Sequence, residues 1–189
     1  MPVAHVHQSP VAGEAAHRHG GSSEPLRVSV VVQEGEWGDV ARLQRAIHRA
    51  SAALARHPDC RLPPAAEASV VLGSDALLAR LNFAYRNRRG ATNVLSFAYQ
   101  RPAGVGTGEG VVVGDEGYLG DVLLAAETLH REALARGIAL EAHLQHLVVH
   151  GLLHLLGRDH GNDAEAEAME ALETAILAAV GIADPHRAI

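Results

Sequence analysis

Three histidines, His150, His154 and His160, follow one another at intervals of four and six positions. On a helix, residues four apart share one face with their Cβ atoms about 6 Å apart, so His150 and His154 can reach the same ion. Gly157 can end that helix and allow the chain to return His160 to the ion. Three imidazoles and an open fourth position are typical of catalytic zinc, whereas structural zinc is usually closed by four protein ligands. The spacing therefore predicts one Zn2+ ion with a water in its open position.

The same spacing occurs in zinc proteases of the H-E-x-x-H-x-x-G-x-x-H type, with one difference. Those enzymes need a glutamate directly after the first histidine as general base, and here that residue is Gly151. A protease of that type is therefore disfavoured. Glycine in mid-helix costs about 1 kcal/mol relative to alanine, so either tight helix packing or close approach of a substrate is expected at Gly151. For His146, one turn earlier, packing is expected; the alternatives are a fourth ligand or a partner of a ligand.

The composition narrows the class of protein. The chain has 189 residues and one cysteine, Cys60, which excludes an internal disulfide and a multi-cysteine zinc site. No apolar run approaches the roughly 20 residues of a membrane helix, and residues 1–25 lack the apolar stretch of a signal peptide. The formal net charge of −6 argues against coating nucleic acid by bulk electrostatics. We expect a cytoplasmic protein without membrane contact, whose contacts with nucleic acid are local.

The chain divides into a tail and one domain. Residues 1–25 lack apolar periodicity and hold four histidines, so we predict a disordered His-rich extension before a domain at 26–189. Residues 102–117 are rich in glycine and predict a flexible loop. Strands are predicted at 26–33, 67–73, 93–99 and 118–125, and helices at 37–57, 76–85 with Ser74 as N-cap, 126–136, 140–156 and 163–180, the last three each ending at a glycine.

This order of elements predicts the fold class. Strand, helix, strand, helix, two strands and three helices indicate an α+β single domain with a small mixed four-stranded sheet packed with about five helices. The strands that flank the glycine-rich loop can pair directly as a long hairpin, which makes the sheet mixed. The alternative is that a crossover separates them.

Four blocks of the sequence resemble one known family. The segment HGLLHLLGRDH is similar to the H-G-x-L-H-L-x-G-Y-D-H signature of the YbeY family of bacterial endoribonucleases, also called rRNA maturation factors. LNFAYRNRRGATNVLSF resembles that family's L-N-x-x-Y-R-x-K-D-x-P-T-D-V-L-S-F block, and YLGDVLLA its L-G-D-I-x-I strand. NDAEAEAMEALE resembles its D-x-x-E-x-x-x-M-x-x-x-E helix. We take the resemblance as a whole to cover about residues 26–181, which leaves only the tail unmatched.

The resemblance implies an activity and a site. It implies a zinc-type ion on His150, His154 and His160, a functional arginine at Arg86, and cleavage of single-stranded RNA. It also implies a role in 16S ribosomal RNA 3′ end maturation and ribosome quality control, with ribosomal RNA and the small ribosomal subunit as partners. Three of the chain's departures from the family pattern put the fit of the substrate in question: Arg158 for tyrosine, Arg89 for aspartate and Ala91 for proline.

The expected role of Arg86 is to neutralise phosphate, because a guanidinium donates paired hydrogen bonds to phosphate oxygens. Its neighbours in sequence could extend a local basic surface: Arg80, Arg88, Arg89 and Arg101. Asp159 is expected to act in the turn and as a helix cap, with orientation of a histidine as the alternative. Asp121 either faces the site or ends a strand pairing. The attacking group, water or the RNA 2′-hydroxyl, stays open.

Two other functions remain compatible with the sequence. One is a zinc hydrolase of a non-RNA substrate, such as a peptide, that uses a glutamate from elsewhere in the chain. The other is a non-catalytic ribosome-assembly factor whose metal is structural, because a metal site does not by itself prove a reaction. The enzyme acting on RNA is preferred, since an open coordination position and an arginine suited to phosphate occur together. The sequence leaves the oligomeric state open.

Overall fold

A computed structural model describes residues 26–99 and 117–186 of the chain. The predicted N-terminal extension and nearly all of the predicted glycine-rich loop lie outside these residues. Within the described ranges the elements are, in chain order, β1 (Leu26–Val32), α1 (Val40–Arg56), β2 (Ala66–Gly73), α2 (Asp75–Arg86), β3 (Val94–Ala98), β4 (Tyr118–Ala125), α3 (Ala126–Ala135), α4 (Leu140–Leu155) and α5 (Asp163–Ala178). The predicted α+β class, with a four-stranded sheet and five helices, is confirmed.

The sheet is mixed, with the strand order β1-β2-β4-β3. β1, β2 and β4 are parallel, and β3 pairs antiparallel with β4 from Val94 opposite Leu124 to Ala98 opposite Gly120. The strands on either side of the glycine-rich segment therefore pair directly, as the hairpin interpretation predicted, and the crossover alternative was wrong. β3 is left as an edge strand beside the helices that carry the site.

Side-chain caps fix where three helices begin. Asp39, Ser74 and Asn162 each accept a hydrogen bond from the backbone N–H three residues later, which satisfies a donor that the first turn leaves free. The predicted cap at Ser74 is confirmed. The predicted start of the first helix at Trp37 was wrong, because Asp39 caps the helix and the Trp37 indole N–H instead donates to the carbonyl of Glu34.

The two faces of the sheet have separate cores. Val70, Leu72 and Val122 belong to the larger cluster, in which α1, α4 and α5 pack on one face. Successive residues of a strand point to opposite faces, so Val71 and Leu123 meet α2 on the other face. α4 and α2 therefore lie on opposite sides of the sheet.

Asp121 is buried on the α2 face of β4, beside Ser69 of β2. Its Oδ1 accepts a hydrogen bond of 2.5 Å from the Tyr118 hydroxyl, and its Oδ2 has no hydrogen-bond partner among the described residues. Burial raises the pKa of Asp121, and hydrogen bonds with Tyr118 and Ser69 offset part of that rise. The expectation that Asp121 faces the histidines was wrong. The histidines lie on α4, and α4 packs on the other face of the sheet from the Asp121 side chain.

The raised pKa of Asp121 predicts a pH-dependent stability difference. Because the folded chain holds this proton more tightly than the unfolded chain, the group favours folding at low pH, and that contribution is lost as pH rises through the folded-state pKa. We expect the melting temperature of Asp121→Asn to rise relative to that of the wild type as the pH increases from roughly 4 to 7. Thermal unfolding across this range measures the difference. Exposed Glu167→Gln is the control, and a pH-independent difference for Asp121→Asn would contradict the assignment.

Candidate metal centre

Three imidazoles converge where α4 ends. His150 and His154 lie on α4, Gly157 follows with a φ of +79°, and His160 lies in the segment before α5. The Nε2 atoms of His150 and His154 are 3.1 Å apart. The ring of His160 lies 5.8 Å from that of His150 and 5.0 Å from that of His154, measured between centroids. The structure brings together all three predicted ligands, with their candidate ligand atoms within 4.8 Å of one another.

The orientation of these rings fits a zinc ion. The Nδ1 of His150 lies 2.7 Å from the Glu173 carboxylate, and the Nδ1 of His154 lies 2.9 Å from the Arg158 carbonyl oxygen. These acceptors favour protons on Nδ1, which leaves the two Nε2 lone pairs facing each other. A cation between them relieves that repulsion, and tetrahedral Zn–N bonds of about 2.0–2.1 Å place two nitrogens about 3.3 Å apart. The observed 3.1 Å needs only a small adjustment.

The protonation state of His154 also suits a ligand. Burial lowers the pKa of His154, and the neighbouring charges of His150 and His160 lower it further. The hydrogen bond to the Arg158 carbonyl opposes this shift. A neutral imidazole is the form that binds a metal, so the surroundings of His154 favour the form that the centre needs.

Glu173 of α5 contacts the metal centre through His150. Its side chain is 1% exposed, and its two oxygens divide their contacts: Oε1 lies against His150, and Oε2 lies against His146 and His186. Burial by itself raises the pKa of Glu173, but hydrogen bonds from His146 and His150 hold that pKa well below its usual range. The carboxylate is therefore charged, which strengthens its hydrogen bond to the proposed ligand His150.

Sequence reasoning missed Glu173 as a part of the site. A signal was present, because Glu173 lies four residues after Met169 and three before Ile176, both of which are buried. A carboxylate on the buried side of an amphipathic helix needs a partner there. The identity of that partner depends on how α5 packs against α4. His146 was expected to be packed, with a fourth ligand or a partner of a ligand as the alternatives. His146 instead lies 3.2 Å from Glu173 and outside the group of three candidate ligands.

Glu173→Gln is expected to weaken zinc binding at the three histidines. Removing the charge that orients His150 should lower zinc affinity by about 10- to 100-fold, the usual effect of losing such a partner. A zinc titration against a competing chelator measures it. Glu167→Gln, an exposed change on the same helix, is the control. Equal affinities for the two variants, each shown to be folded by circular dichroism, would contradict a role for Glu173 in orienting the ligand.

The residues between Gly157 and α5 shape the turn that presents His160. The Arg158 guanidinium donates to the Asp59 carbonyl at 3.0 Å, so the residue that replaces the family's tyrosine is anchored to the segment between α1 and β2. The Asp159 carboxylate accepts a hydrogen bond from the His160 N–H at 2.8 Å. The expected turn role of Asp159 is confirmed, but its cap role was wrong, because Asn162 caps α5.

Gly151 lets α4 approach the sheet closely. A Cβ atom at this position would lie 2.5 Å from Cγ1 of Val122 and 3.0 Å from Oγ of Ser96. No side chain fits there unless Val122, β4 or the helix moves. Tight helix packing, one of the two expectations for Gly151, is thus confirmed. The packing fixes the height of His150 and His154 above the sheet.

Arg86 lies at the end of α2, on the other side of edge strand β3. Tyr85 stacks edge-on against Phe97 of β3 with ring centroids 5.2 Å apart, while Gly151 of α4 packs near Ser96 on the opposite face of that strand. No hydrogen bond joins Arg86 to the histidines among the described residues. Although the side chain of Arg86 is exposed overall, nearby protein removes part of the water around its guanidinium and lowers its pKa, and the charge of Arg88 lowers that pKa further. Arginine remains charged at neutral pH despite such a shift.

The predicted basic surface is smaller than the sequence suggested. Arg80 forms an ion pair of 3.1 Å with Glu34, so its charge is already partnered. Arg101 lies outside the described residues. Arg86, Arg88 and Arg89 are exposed together at the end of α2, and these three form what we call the α2 arginine group.

No helix within residues 26–99 or 117–186 combines the length and the apolar character that crossing a bilayer requires.

Comparison with known proteins identifies the family. The family model described as "Endoribonuclease YbeY" matches residues 32–181. Proteins named Endoribonuclease YbeY are 46% identical in Parvibaculum lavamentivorans, covering 86% of this chain and 86% of the relative, and 38% identical in Gluconobacter oxydans, covering 92% of each. The solution structure of TM1509 from Thermotoga maritima shares the fold at 17% identity, with a TM-score of 0.50 over 85% of this chain and 99% of that one. The chain therefore belongs to the YbeY family of endoribonucleases.

Proposed function

We propose that this chain is a zinc-dependent endoribonuclease that cuts single-stranded RNA. Membership of an endoribonuclease family supports hydrolysis of RNA as the reaction. The observation that carries the metal dependence is the pair of Nε2 atoms 3.1 Å apart, each on a ring whose other nitrogen faces an oxygen acceptor. His160 completes the set from an exposed turn, which leaves one side of the centre open to a substrate.

The work of the chain's own residues is to orient ligands and to bind phosphate. Zinc held there supplies Lewis-acid chemistry, since it polarises a phosphoryl oxygen and lowers the pKa of water. Glu173 and the Arg158 carbonyl fix the rings of His150 and His154, so the ligand set is already arranged before a metal arrives. Both oxygens of Glu173 already contact imidazoles and its side chain is 1% exposed, so Glu173 is not a free general base.

Arg86 is proposed to bind a phosphate of the same RNA strand. The α2 arginine group and the histidines flank β3 from opposite sides, so a bound strand has to bend around this edge of the sheet. A single strand is flexible enough to follow that path, and proteins that recognise RNA sequence usually target single-stranded segments. A guanidinium neutralises the phosphate near the cut and holds the strand in register.

The proposed substrate in the cell is ribosomal RNA. The resemblance to rRNA maturation factors supports maturation of the 16S ribosomal RNA 3′ end, with the small ribosomal subunit as partner, and a part in ribosome quality control. Because bacterial ribosomal RNA matures in the cytoplasm, the proposal puts the protein there. The local basic group, rather than the net charge of −6, supplies the attraction to RNA.

Cleavage of a single-stranded RNA and its matched duplex tests this proposal. We expect the wild-type chain to cut the single strand and to leave the duplex largely intact. Arg86→Ala should cut about 10- to 100-fold more slowly, because hydrogen bonds to a charged group contribute about 1.5–3 kcal/mol. Arg80→Ala, on the same helix but paired with Glu34, is the control and should cut normally.

The other outcomes of this test separate the rival functions. Equal cutting by the wild type, Arg86→Ala and a variant without the histidines would mean that a contaminating nuclease is at work. Turnover of a peptide without cleavage of RNA would favour a hydrolase of another substrate. Binding to small ribosomal subunits without any cleavage would favour an assembly factor with a structural metal.

A further inference from the structure

A second group of side chains that can bind a metal ion lies beside the three-histidine centre, which it contacts through Glu173. His146 of α4, Glu173 of α5 and His186, eight residues after α5, offer ligand atoms that all lie within 4.8 Å of one another. The Nε2 atoms of His146 and His186 are 3.2 and 2.7 Å from Oε2 of Glu173. The two rings meet edge to face, with centroids 5.2 Å apart. The family's helix motif includes Glu173 at its last position, but the matched region ends at residue 181, before His186.

The atoms of this group match the requirements of a zinc-type ion. Two imidazole nitrogens and one carboxylate oxygen form a common ligand set for zinc, with bonds of about 2.0–2.2 Å. Tetrahedral bonds of that length separate the ligand atoms by about 3.3 Å, so an opening of a few tenths of an ångström admits an ion. A carboxylate is a negatively charged type of metal ligand, and this side chain is only 1% exposed, so water screens such a charge little.

A cavity reaches one member of the group, His146. About 530 Å3 of space lies between the start of α4 and the segment after α5, and its lining includes His146, Gly181 and Pro185. Such a space holds water and gives a hydrated ion a route to His146. Three ligand atoms at suitable distances, and a cavity that reaches one of them, are therefore present on the described residues.

We propose that His146, Glu173 and His186 form a second divalent-metal site that fastens the C-terminal segment to α4 and α5. The site is weaker than the three-histidine centre for a physical reason. At that centre, His150 and His154 both have acceptors for the Nδ1 proton. At the second site, a metal on Nε2 of His146 places the proton on Nδ1, which is buried and has no partner among the described residues. An unsatisfied buried donor costs about 1–3 kcal/mol.

The two sites share Glu173 through different oxygens. Oε1 lies 2.7 Å from His150, and Oε2 belongs to the second site. An ion on Oε2 draws charge away from Oε1 and so weakens the hydrogen bond that orients His150. Filling the second site is therefore expected to lower zinc affinity at the first.

Zinc counting in a chain without the first site tests the proposal. The full-length protein is used with its four tail histidines replaced by alanine, so that only the domain binds metal: His5, His7, His17 and His19. His154→Ala is added to disable the three-histidine centre. Equilibrium dialysis against Zn2+ with elemental analysis should then find about one bound ion per chain. Adding His186→Gln, which keeps a hydrogen-bond donor but removes the ligand, should weaken this binding at least about tenfold.

His130→Gln is the matched control, because His130 is exposed on α3 and its Nδ1 contacts only the Ala126 carbonyl of its own helix. Binding that survives His130→Gln but not His186→Gln supports the second site. An absence of bound zinc in the His154→Ala chain would overturn the proposal, as would equal binding by the His130 and His186 variants. RNA cleavage is not part of this measurement, so its result is independent of the proposed nuclease activity.

Discussion

His154→Ala is expected to abolish RNA cleavage and tight zinc binding together. His154 supplies one of the two Nε2 atoms that lie 3.1 Å apart. Its loss leaves only His150 and His160 to hold the ion. Losing a partner of a ligand costs about 10- to 100-fold, so losing the ligand itself should exceed about 100-fold in both zinc affinity and cleavage rate. Zinc titration and cleavage of a single-stranded RNA measure the two effects.

The fold should survive this substitution. The His154 side chain is not part of the apolar core, and its Nδ1 contacts only the carbonyl of Arg158. Circular dichroism should therefore match that of the wild type, and His130→Ala serves as a histidine control outside the site. If His154→Ala cut RNA at the wild-type rate, the three-histidine centre would not be the place of catalysis.

Gly151→Ala is expected to destabilise the protein, although alanine is the better helix former. Without other constraints the change would gain about 1 kcal/mol in a helix. Here the new Cβ would lie 2.5 Å from Cγ1 of Val122 and 3.0 Å from Oγ of Ser96. Overpacking of this kind typically costs about 1–3 kcal/mol, so the free energy of unfolding should fall by that order. Denaturant unfolding measures the change.

A double mutant separates crowding from other causes. Val122→Ala removes both methyl groups nearest to the new Cβ, at the cost of a cavity in the core. If crowding is the cause, the double variant should lose less stability than the sum of the two single variants, with a coupling of about 0.5–3 kcal/mol. Simple additivity, or a Gly151→Ala protein more stable than the wild type, would show that α4 does not need this close contact.

Local features of the sequence predicted much of this structure. The cap at Ser74, the strand Tyr118–Ala125 and the helix stop at Gly157 depend on residues within a few positions of each other, and each was found as expected. The convergence of His150, His154 and His160 is local in the same sense, because one helix and one turn create it. Local spacing is enough for such a site because helix geometry fixes the distances.

The features that were missed depend on contacts distant in sequence. Glu173 reaches His150 across 23 positions, and nothing in the spacing of α4 indicates which helix will pack behind it. His186 meets Glu173 only because the chain turns back after α5. The position of Arg86 across β3 from the histidines likewise follows from the pairing order of the sheet.

The start of α1 illustrates competition between local signals. Apolar periodicity extends to Trp37, but the side chain of Asp39 offers the first turn a hydrogen bond that an earlier start would forgo. Trp37 is still buried, because its indole N–H finds a backbone partner at Glu34. Periodicity thus predicted which residues are buried more reliably than where the helix begins.

Removing zinc and restoring it shows whether cleavage of RNA depends on metal bound at His150, His154 and His160. The chain with its four tail histidines replaced by alanine is stripped with a chelator, assayed on a single-stranded RNA, and titrated with Zn2+ while bound metal and cleavage rate are both recorded. We expect the stripped protein to be inactive and cleavage to return in proportion to filling of the tighter site. Undiminished cleavage by metal-free protein would contradict this expectation.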